Sequence, residues 1–314
     1  MSNQIMTVAG ALDAAALGTT LPHEHILVDF IGAEETGPDR YDAGDVVRVA
    51  LPHLNRLREL GGAALVECSP AYLARDPKLM RTLSERSGLN IITNTGYYGA
   101  ANDKFVPRHA YEESAEALAE RWTGEWRNGI DGTGIRPGFI KTAVDDAPLS
   151  EIDRKLVRAA ALTHRATGLT IASHTTSGDA VREEREILRA EKVDPSAFIW
   201  VHANAVHEPA LHASLAREGM WIEFDGLNGN SVAAHVELTA RMREAGLLRR
   251  VLVSHDAGWY SVGEEGGGSY RGYETLFETF LPALRSEGFT EDEIRQLTVL
   301  NPAAAFSIGK RLTP

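Results

Sequence analysis

Two imidazoles, His23 and His25, stand two residues apart in the run Leu21-Pro-His-Glu-His-Ile-Leu-Val-Asp29. In an extended strand alternate side chains share a face. Both rings can therefore reach one metal ion while Glu24 points the other way. Taken alone, the pair also fits a polar strand end with incidental histidines. Further polar residues lie within or at the ends of other apolar runs: Lys141 in Phe139-Ile-Lys-Thr-Ala143, His174 in Ile171-Ala-Ser-His174, His202 in Trp200-Val-His202 and Asp256 in Val253-Ser-His-Asp256. Such groups are expensive to bury without partners, and a shared ion explains all of them at once. Four histidines, one aspartate and a bridging group suit two divalent ions, zinc first, with manganese, cobalt or iron as alternatives. Two such ions can hold a hydroxide between them, lower the pKa of water toward neutrality and polarise a bound P=O or C=O. Asp256 could bind one metal, orient the hydroxide and accept its proton.

Lys141 is the odd member. An ammonium beside two cations is repelled, so its pKa should be depressed. A neutral amine can add carbon dioxide and become an N6-carboxylated lysine, an anion able to bridge two metals. A lone strand lysine is otherwise explained more simply by pairing with a nearby carboxylate.

The elements that must bring these residues together are an alternation of short apolar runs and longer segments of helical period. The runs are the His23/His25 stretch, Ala63–Cys68, Asn90–Thr95, Gly138–Val144, Leu169–His174, Phe198–His202, Met220–Asp225 and Arg250–Asp256. Helices are expected from Asp45 to Leu60, with Pro52 kinking it or delaying its start. Others are expected from Asp76, the N-cap, with Gly88 past the end, and over 114–126, 150–167, 179–192, 208–218, 232–245, 273–286 and 290–300. Eight strand–helix units in 314 residues point to a single-domain (β/α)8 TIM barrel, whose active sites lie at the C-terminal ends of the strands. An open doubly wound sheet is the weaker choice, because no Gly-rich phosphate turn follows an early strand.

Composition narrows the function. A net charge of −12 argues against nucleic acid and against an anionic membrane surface. It does not identify a substrate, because an acidic surface can surround a cationic metal centre; a small-molecule substrate is the partner expected. Cys68 is the only cysteine, so no intramolecular disulfide can form. MSNQIMTVAG has no basic and apolar leader pattern, and no apolar run is long enough to span a bilayer. The expectation is a soluble cytoplasmic protein.

With those residues in place, the chain resembles the phosphotriesterase-like family of the amidohydrolase superfamily. Leu17-Gly-Thr-Thr-Leu-Pro-His-Glu-His25 with Asp29 looks like the family's N-terminal signature. Tyr97-Tyr98, Lys141, His174, His202, Ser254-His-Asp-Ala-Gly258 and Asn301-Pro-Ala with Phe306 follow in the family's order. The resemblance implies His23, His25 and Asp256 on the more buried metal, His174 and His202 on the more exposed one, and carboxylated Lys141 between them. It implies a catalytic tyrosine near the substrate oxygen, a place that Tyr97 or Tyr98 would fill, and a homodimer. The reaction expected is hydrolysis of a lactone or other carboxylic ester, a phosphorylated sugar lactone included, with phosphotriester cleavage as a side activity. An amidase for an N-acyl compound and a non-catalytic metal-containing binding protein are the alternatives. Two features depart from the pattern. Asn204 stands where some members carry an acidic proton relay, and Asp225-Gly-Leu-Asn-Gly-Asn230 matches neither the lactonase nor the organophosphate-hydrolase branch.

The remaining candidates have plainer readings. His255, next to Asp256, faces the other way on a strand. His207, His212 and His235 are expected in solvent, and His53, His109 and His164 carry no signal. Arg75 either lines the pocket or pairs at a helix start. The Gly-rich loop Tyr260–Tyr273 offers Arg271, Tyr270 and Tyr273 for a substrate phosphate or carboxylate, or is a cover without specific contacts.

Overall fold

A computed structural model describes residues 3–313. Eight strands run parallel around a barrel: β1 (Thr20–Glu24), β2 (Ala64–Glu67), β3 (Asn90–Ile92, resuming as Asn94–Thr95), β4 (Phe139–Ala143), β5 (Thr170–His174), β6 (Phe198–Val201), β7 (Trp221–Phe224) and β8 (Val251–Val253). β1 to β3 and β3 to β8 pair in sequence order. The break in β3 falls at Thr93, whose carbonyl accepts the Gly138 amide at 2.7 Å. The barrel closes just past the regular ladder of β8. There the Asp256 amide donates to His23 O at 3.0 Å and the His25 amide to Ala257 O at 2.9 Å.

Alternate strand residues fill the barrel. Val66, Ile92, Phe139, Ala172, Ile199 and Leu252 form its interior, capped by Ile5 and Phe306. The intervening residues, among them Leu65, Ile91, Ile140, Ile171, Trp200 and Ile222, pack outward in one cluster with the surrounding helices. This two-sided burial is why the runs read as continuously apolar. The register sets Lys141 opposite Ala172 and His174 opposite both Ala143 and Val201. The interior turns polar only in its upper layers.

Most helices begin where a side chain can cap them. Asp76 accepts from the Lys78 and Leu79 amides, Ser114 from Ala117 and Ser150 from Asp153. The first helix starts at Ala43 rather than Asp45, because Asp42 caps it, and it continues through Pro52 to Glu59. Burial of Val46, Val47, Ala50, Leu54 and Leu57 on one face offsets the proline's lost hydrogen bond. The expected 273–286 helix starts only at Leu276, and both C-terminal helices contain a wide turn, at Leu276–Phe280 and Gln296–Leu300. Each wide turn precedes a proline, Pro282 or Pro302, which has no N–H to give the carbonyl four residues back. The hairpin of Gln4–Thr7 with Gly10–Asp13 has no counterpart in the sequence reading. Four-residue strands are too short to show a period. No helix among the described residues is long and apolar enough to cross a membrane.

Candidate metal centre

The strand ends bring His23, His25, Lys141, His174, His202 and Asp256 onto the wall of one cavity of about 550 Å³. Ring centroids lie 5.4 Å apart for His23–His25, 5.2 Å for His23–His202 and 4.3 Å for His174–His202. Asp256 Oδ1 sits 3.3 Å from His25 Nε2 and 3.8 Å from His23 Nε2. One ring nitrogen each from His23 and His202 and an oxygen of Asp256 lie within 4.8 Å of one another, close enough to hold one ion.

The hydrogen bonds decide which nitrogen each ring offers. Ser69 donates its hydroxyl proton to Leu27 O at 2.8 Å, so toward His25 Nδ1, also at 2.8 Å, it acts as acceptor. His25 therefore carries its proton on Nδ1 and turns the Nε2 lone pair to the cavity. Asp225 does the same for two rings. One carboxylate oxygen faces His23 Nδ1 at 3.1 Å, the other His202 Nδ1, and the His202 amide adds a bond of 3.0 Å. His174 differs: its Nδ1 meets the Tyr98 hydroxyl at 3.0 Å.

Charge follows from this packing. Burial pushes the His23 pKa down to about 4, helped by Lys141. Burial, then His202, holds His174 well below its ordinary value. For Asp225 burial opposes ionisation, but His202 and His23 outweigh it and keep the carboxyl well below the usual range. Asp256 is likewise held down by His23 and His25 against the cost of burial. For His202 burial again disfavours the charged form, but Asp225 outweighs it and raises the pKa. His23 and His174 are held neutral beside ionised carboxylates, the state that metal ligands need.

Lys141 is 1% exposed, and its Nζ has no hydrogen-bond partner among the described residues. Asp256 Oδ1 likewise lacks a bond of proper geometry. Buried polar atoms are almost always satisfied. An orphaned amine and carboxylate oxygen among four imidazoles are what a site built around cations would show, and the donor set fits two divalent ions.

Glu24 points away from the cavity, and its carboxylate stitches the seam between β1 and β8. It accepts from the Ser254 hydroxyl (2.7 Å), the His255 amide (3.0 Å) and ring (2.7 Å) and the Ala257 amide (2.8 Å). His255 Nε2 in turn accepts the Leu276 amide. Both residues thus hold the backbone that aims His23, His25 and Asp256. Left-handed backbone at His202 (φ 64°) and Asp256 (φ 53°) is a further cost this framework sustains.

Several expectations need correction. Tyr98 overlooks the cavity, but Tyr97 packs on Trp122 and bonds His109 Nε2 at 2.9 Å. Successive residues of an extended segment face opposite ways. Arg271, Tyr270 and Tyr273 are not among the lining residues. The Arg271 guanidinium bonds the Asp256 carbonyl and lies over Trp259. Tyr273 donates to His25 O at 2.9 Å and pairs with Tyr270. The loop buttresses the ligands from behind. The cavity wall is instead largely apolar, with Val28, Phe30, Leu73, Phe105 and Trp259, and with Lys104 and Thr176 among its polar members.

His212 and His235 are buried rather than solvated. Their Nε2 atoms bond Ala203 O and Asp225 O, each at 2.8 Å, and so tie two helices to the loops that carry His202 and Asp225. Arg75 pairs with neither the pocket nor its own helix start. It is buried and bidentate on Glu125, with a further bond to Asn94 O. Asn204 uses its side-chain oxygen to accept the Asp225 amide at 3.0 Å. The site residue that sequence reasoning missed is Asp225. Its signal was available: a carboxylate ending the apolar run Trp221–Phe224, as Asp256 ends the last one.

The Phosphotriesterase family profile matches residues 3–306. The phosphotriesterase homology protein of Escherichia coli is 29% identical over 293 residues, covering 92% of this chain and 98% of that protein. The N-acetyltaurine hydrolase of Homo sapiens is 26% identical over 346 residues, covering 96% and 97%. Among solved structures, the organophosphorus hydrolase from Deinococcus radiodurans is 30% identical with a TM-score of 0.84, covering 97% of each chain.

Proposed function

The chain belongs to the phosphotriesterase family, and we propose that within it the protein is a two-metal hydrolase of a lactone or other carboxylic ester, with phosphotriester cleavage as a slower side reaction. The observation that carries this reading is the buried, partnerless Lys141 amine among four imidazoles and Asp256. His23, His25 and Asp256 would hold the deeper ion, His174 and His202 the outer one, and Lys141, carboxylated, would stand between them. Bound there, divalent ions supply an activated water and polarise the scissile oxygen.

The chain's own groups do the rest. Asp256 accepts the proton released by the attacking water. Burial raises the pKa of Tyr98, so its hydroxyl keeps a proton to give to an oxygen of the substrate beside His174. Asp225 and Ser69 fix the imidazoles in the tautomer that faces the site. Val28, Phe30, Phe105 and Trp259 suit an uncharged acyl group and keep bulk water off the reacting centre. Arg271 turns to the Asp256 carbonyl instead, which leaves Lys104 as the wall cation a phosphorylated lactone would have to use.

The decisive experiment loads wild type and Asp256→Asn with zinc, manganese or cobalt. It measures metal content and follows hydrolysis of a lactone, an aryl ester, a phosphotriester and an N-acyl amine sulfonate. The lactone or ester should turn over fastest, and Asp256→Asn should lose roughly 10²–10⁴-fold of it. The amide being fastest would favour the amidase reading suggested by the human relative. Metal without turnover of anything would favour a binding protein.

A further inference from the structure

Ala101, Asn102 and Asp103 are three consecutive non-glycine residues in left-handed backbone, with φ of 64°, 55° and 59°. Such a run is rare, since each residue's Cβ crowds its own carbonyl, and alanine has no side-chain hydrogen bond to compensate. Its own backbone holds the later part, with the Asp103 amide on Gly99 O at 3.2 Å and the Val106 amide on Asp103 O at 2.9 Å, while the first two amides are held from outside. Two successive amides of the turn, Ala101 N and Asn102 N, point at the two carboxylate oxygens of Asp145, each at 2.9 Å. Asp145 lies just past β4, two residues beyond Ala143.

The turn also builds the cavity. Ala101, Lys104 and Phe105 line it, and Phe105 meets the Phe30 ring at 6.1 Å. Lys104 O accepts the Ala33 amide at 3.0 Å, joining this wall to the loop after β1. Tyr98, just upstream, has supports of its own. The Gly99 amide donates to Ala143 O at 3.1 Å, and the Tyr98 hydroxyl reaches His174. Gly99 is obligatory there, because a Cβ would lie 2.6 Å from Ala143 O. Tyr98 also bridges to Phe105, with their rings 5.8 Å apart, but its bonds to β4 and to His174 do not pass through Asp145.

We propose that Asp145 is a positioning residue for substrate selection, clamping the left-handed turn whose residues form the acyl-facing wall of the cavity. This rests on the cavity being the substrate site of the proposed hydrolase. Charge-assisted bonds of this kind are the strong ones, and without them Ala101 should relax to ordinary backbone and carry Phe105 out of place. A small lactone that reaches only the ligands and Tyr98 should not notice. A lactone whose long alkyl chain must lie on Phe105 should bind worse.

The test compares wild type, Asp145→Ala and Asp145→Asn by amide hydrogen exchange of 99–106 and by kinetics on an unsubstituted and a long-chain alkyl lactone. In Asp145→Ala the Ala101 and Asn102 amides should exchange at least about tenfold faster, with strand amides unchanged. KM for the long-chain lactone should rise about tenfold, while kcat and the small lactone's constants stay within about twofold. Asp145→Asn, which keeps one acceptor oxygen, should fall between. Unchanged exchange at Ala101 and Asn102, or an equal loss on both lactones, overturns the clamp. If wild type hydrolyses neither lactone, the hydrolase reading fails by itself, and the exchange data still decide whether Asp145 holds the turn.

Discussion

Around His23, His25 and Asp256 the barrel supplies hydrogen-bond partners on the sides facing away from the cavity; around Lys141 and His174 it supplies few. On the β1–β8 side Glu24 takes four donors, Ser69 fixes His25 and Asp225 fixes His23. His23 and His25 are almost wholly buried. On the β4–β5 side His174 is half-buried and meets Tyr98, and the Lys141 amine meets nothing among the described residues. The lesson is one of preorganisation. The first half is shaped by the chain's own hydrogen bonds and should persist without ions. The second half has groups whose partners must come from outside the chain.

The sharpest way to break this contrast is Lys141→Ala. It removes the one group that both halves would share, and activity should fall on the order of 10³-fold or more, with loss of bound metal. Millimolar short carboxylic acids should restore part of it, read by turnover and metal analysis together. Full activity in the variant would mean that the lysine bridges nothing.

Next in size is Asp225→Asn, the residue that joins His23, proposed for the deeper ion, to His202, proposed for the outer one. A neutral amide cannot serve both imidazole protons, and outer partners of metal-binding histidines are typically worth 10–100-fold in affinity. Titration with zinc should show both ions weakened. Weakening of one ion alone would show that Asp225 acts through a single imidazole.

The smallest effect belongs to the back of β5. Ser173 and Thr175, on either side of His174, both donate to Glu184. Burial pushes that carboxyl up to about 8 against these two bonds. Between the unfolded value of 4.5 and about 8 the folded state binds the extra proton, so stability should fall as pH rises through this window and level off above it. Glu184→Gln should remove that slope. The difference should appear as a Tm gap of roughly 5 °C opening between pH 5 and pH 8, and parallel curves would refute it.

Much of this was open to a reader of residues alone. The eight apolar runs were visible because both faces of each strand are buried, and the capped helices because their first amides need a side-chain acceptor. The His23-x-His25 spacing, Lys141 and Asp256 stood out because polar groups on apolar strands demand partners. Periodicity also implied that Glu24 faces away from its neighbours.

What stayed hidden depended on contacts between distant segments. Local pattern says which face of a strand a side chain takes, but not what waits there. Thus Asp225 reads as an unmatched loop start until β6 and β1 bring His202 and His23 to its two oxygens. His212 and His235 read as helix-surface residues until the loops after β6 and β7 fold over them. Tyr270, Tyr273 and Arg271 look like a substrate clamp until the closed seam at β1 and β8 offers them backbone carbonyls. Strand and helix identity is set within a few residues along the chain. The partner of a buried charge is set by barrel closure, which joins residues more than two hundred positions apart.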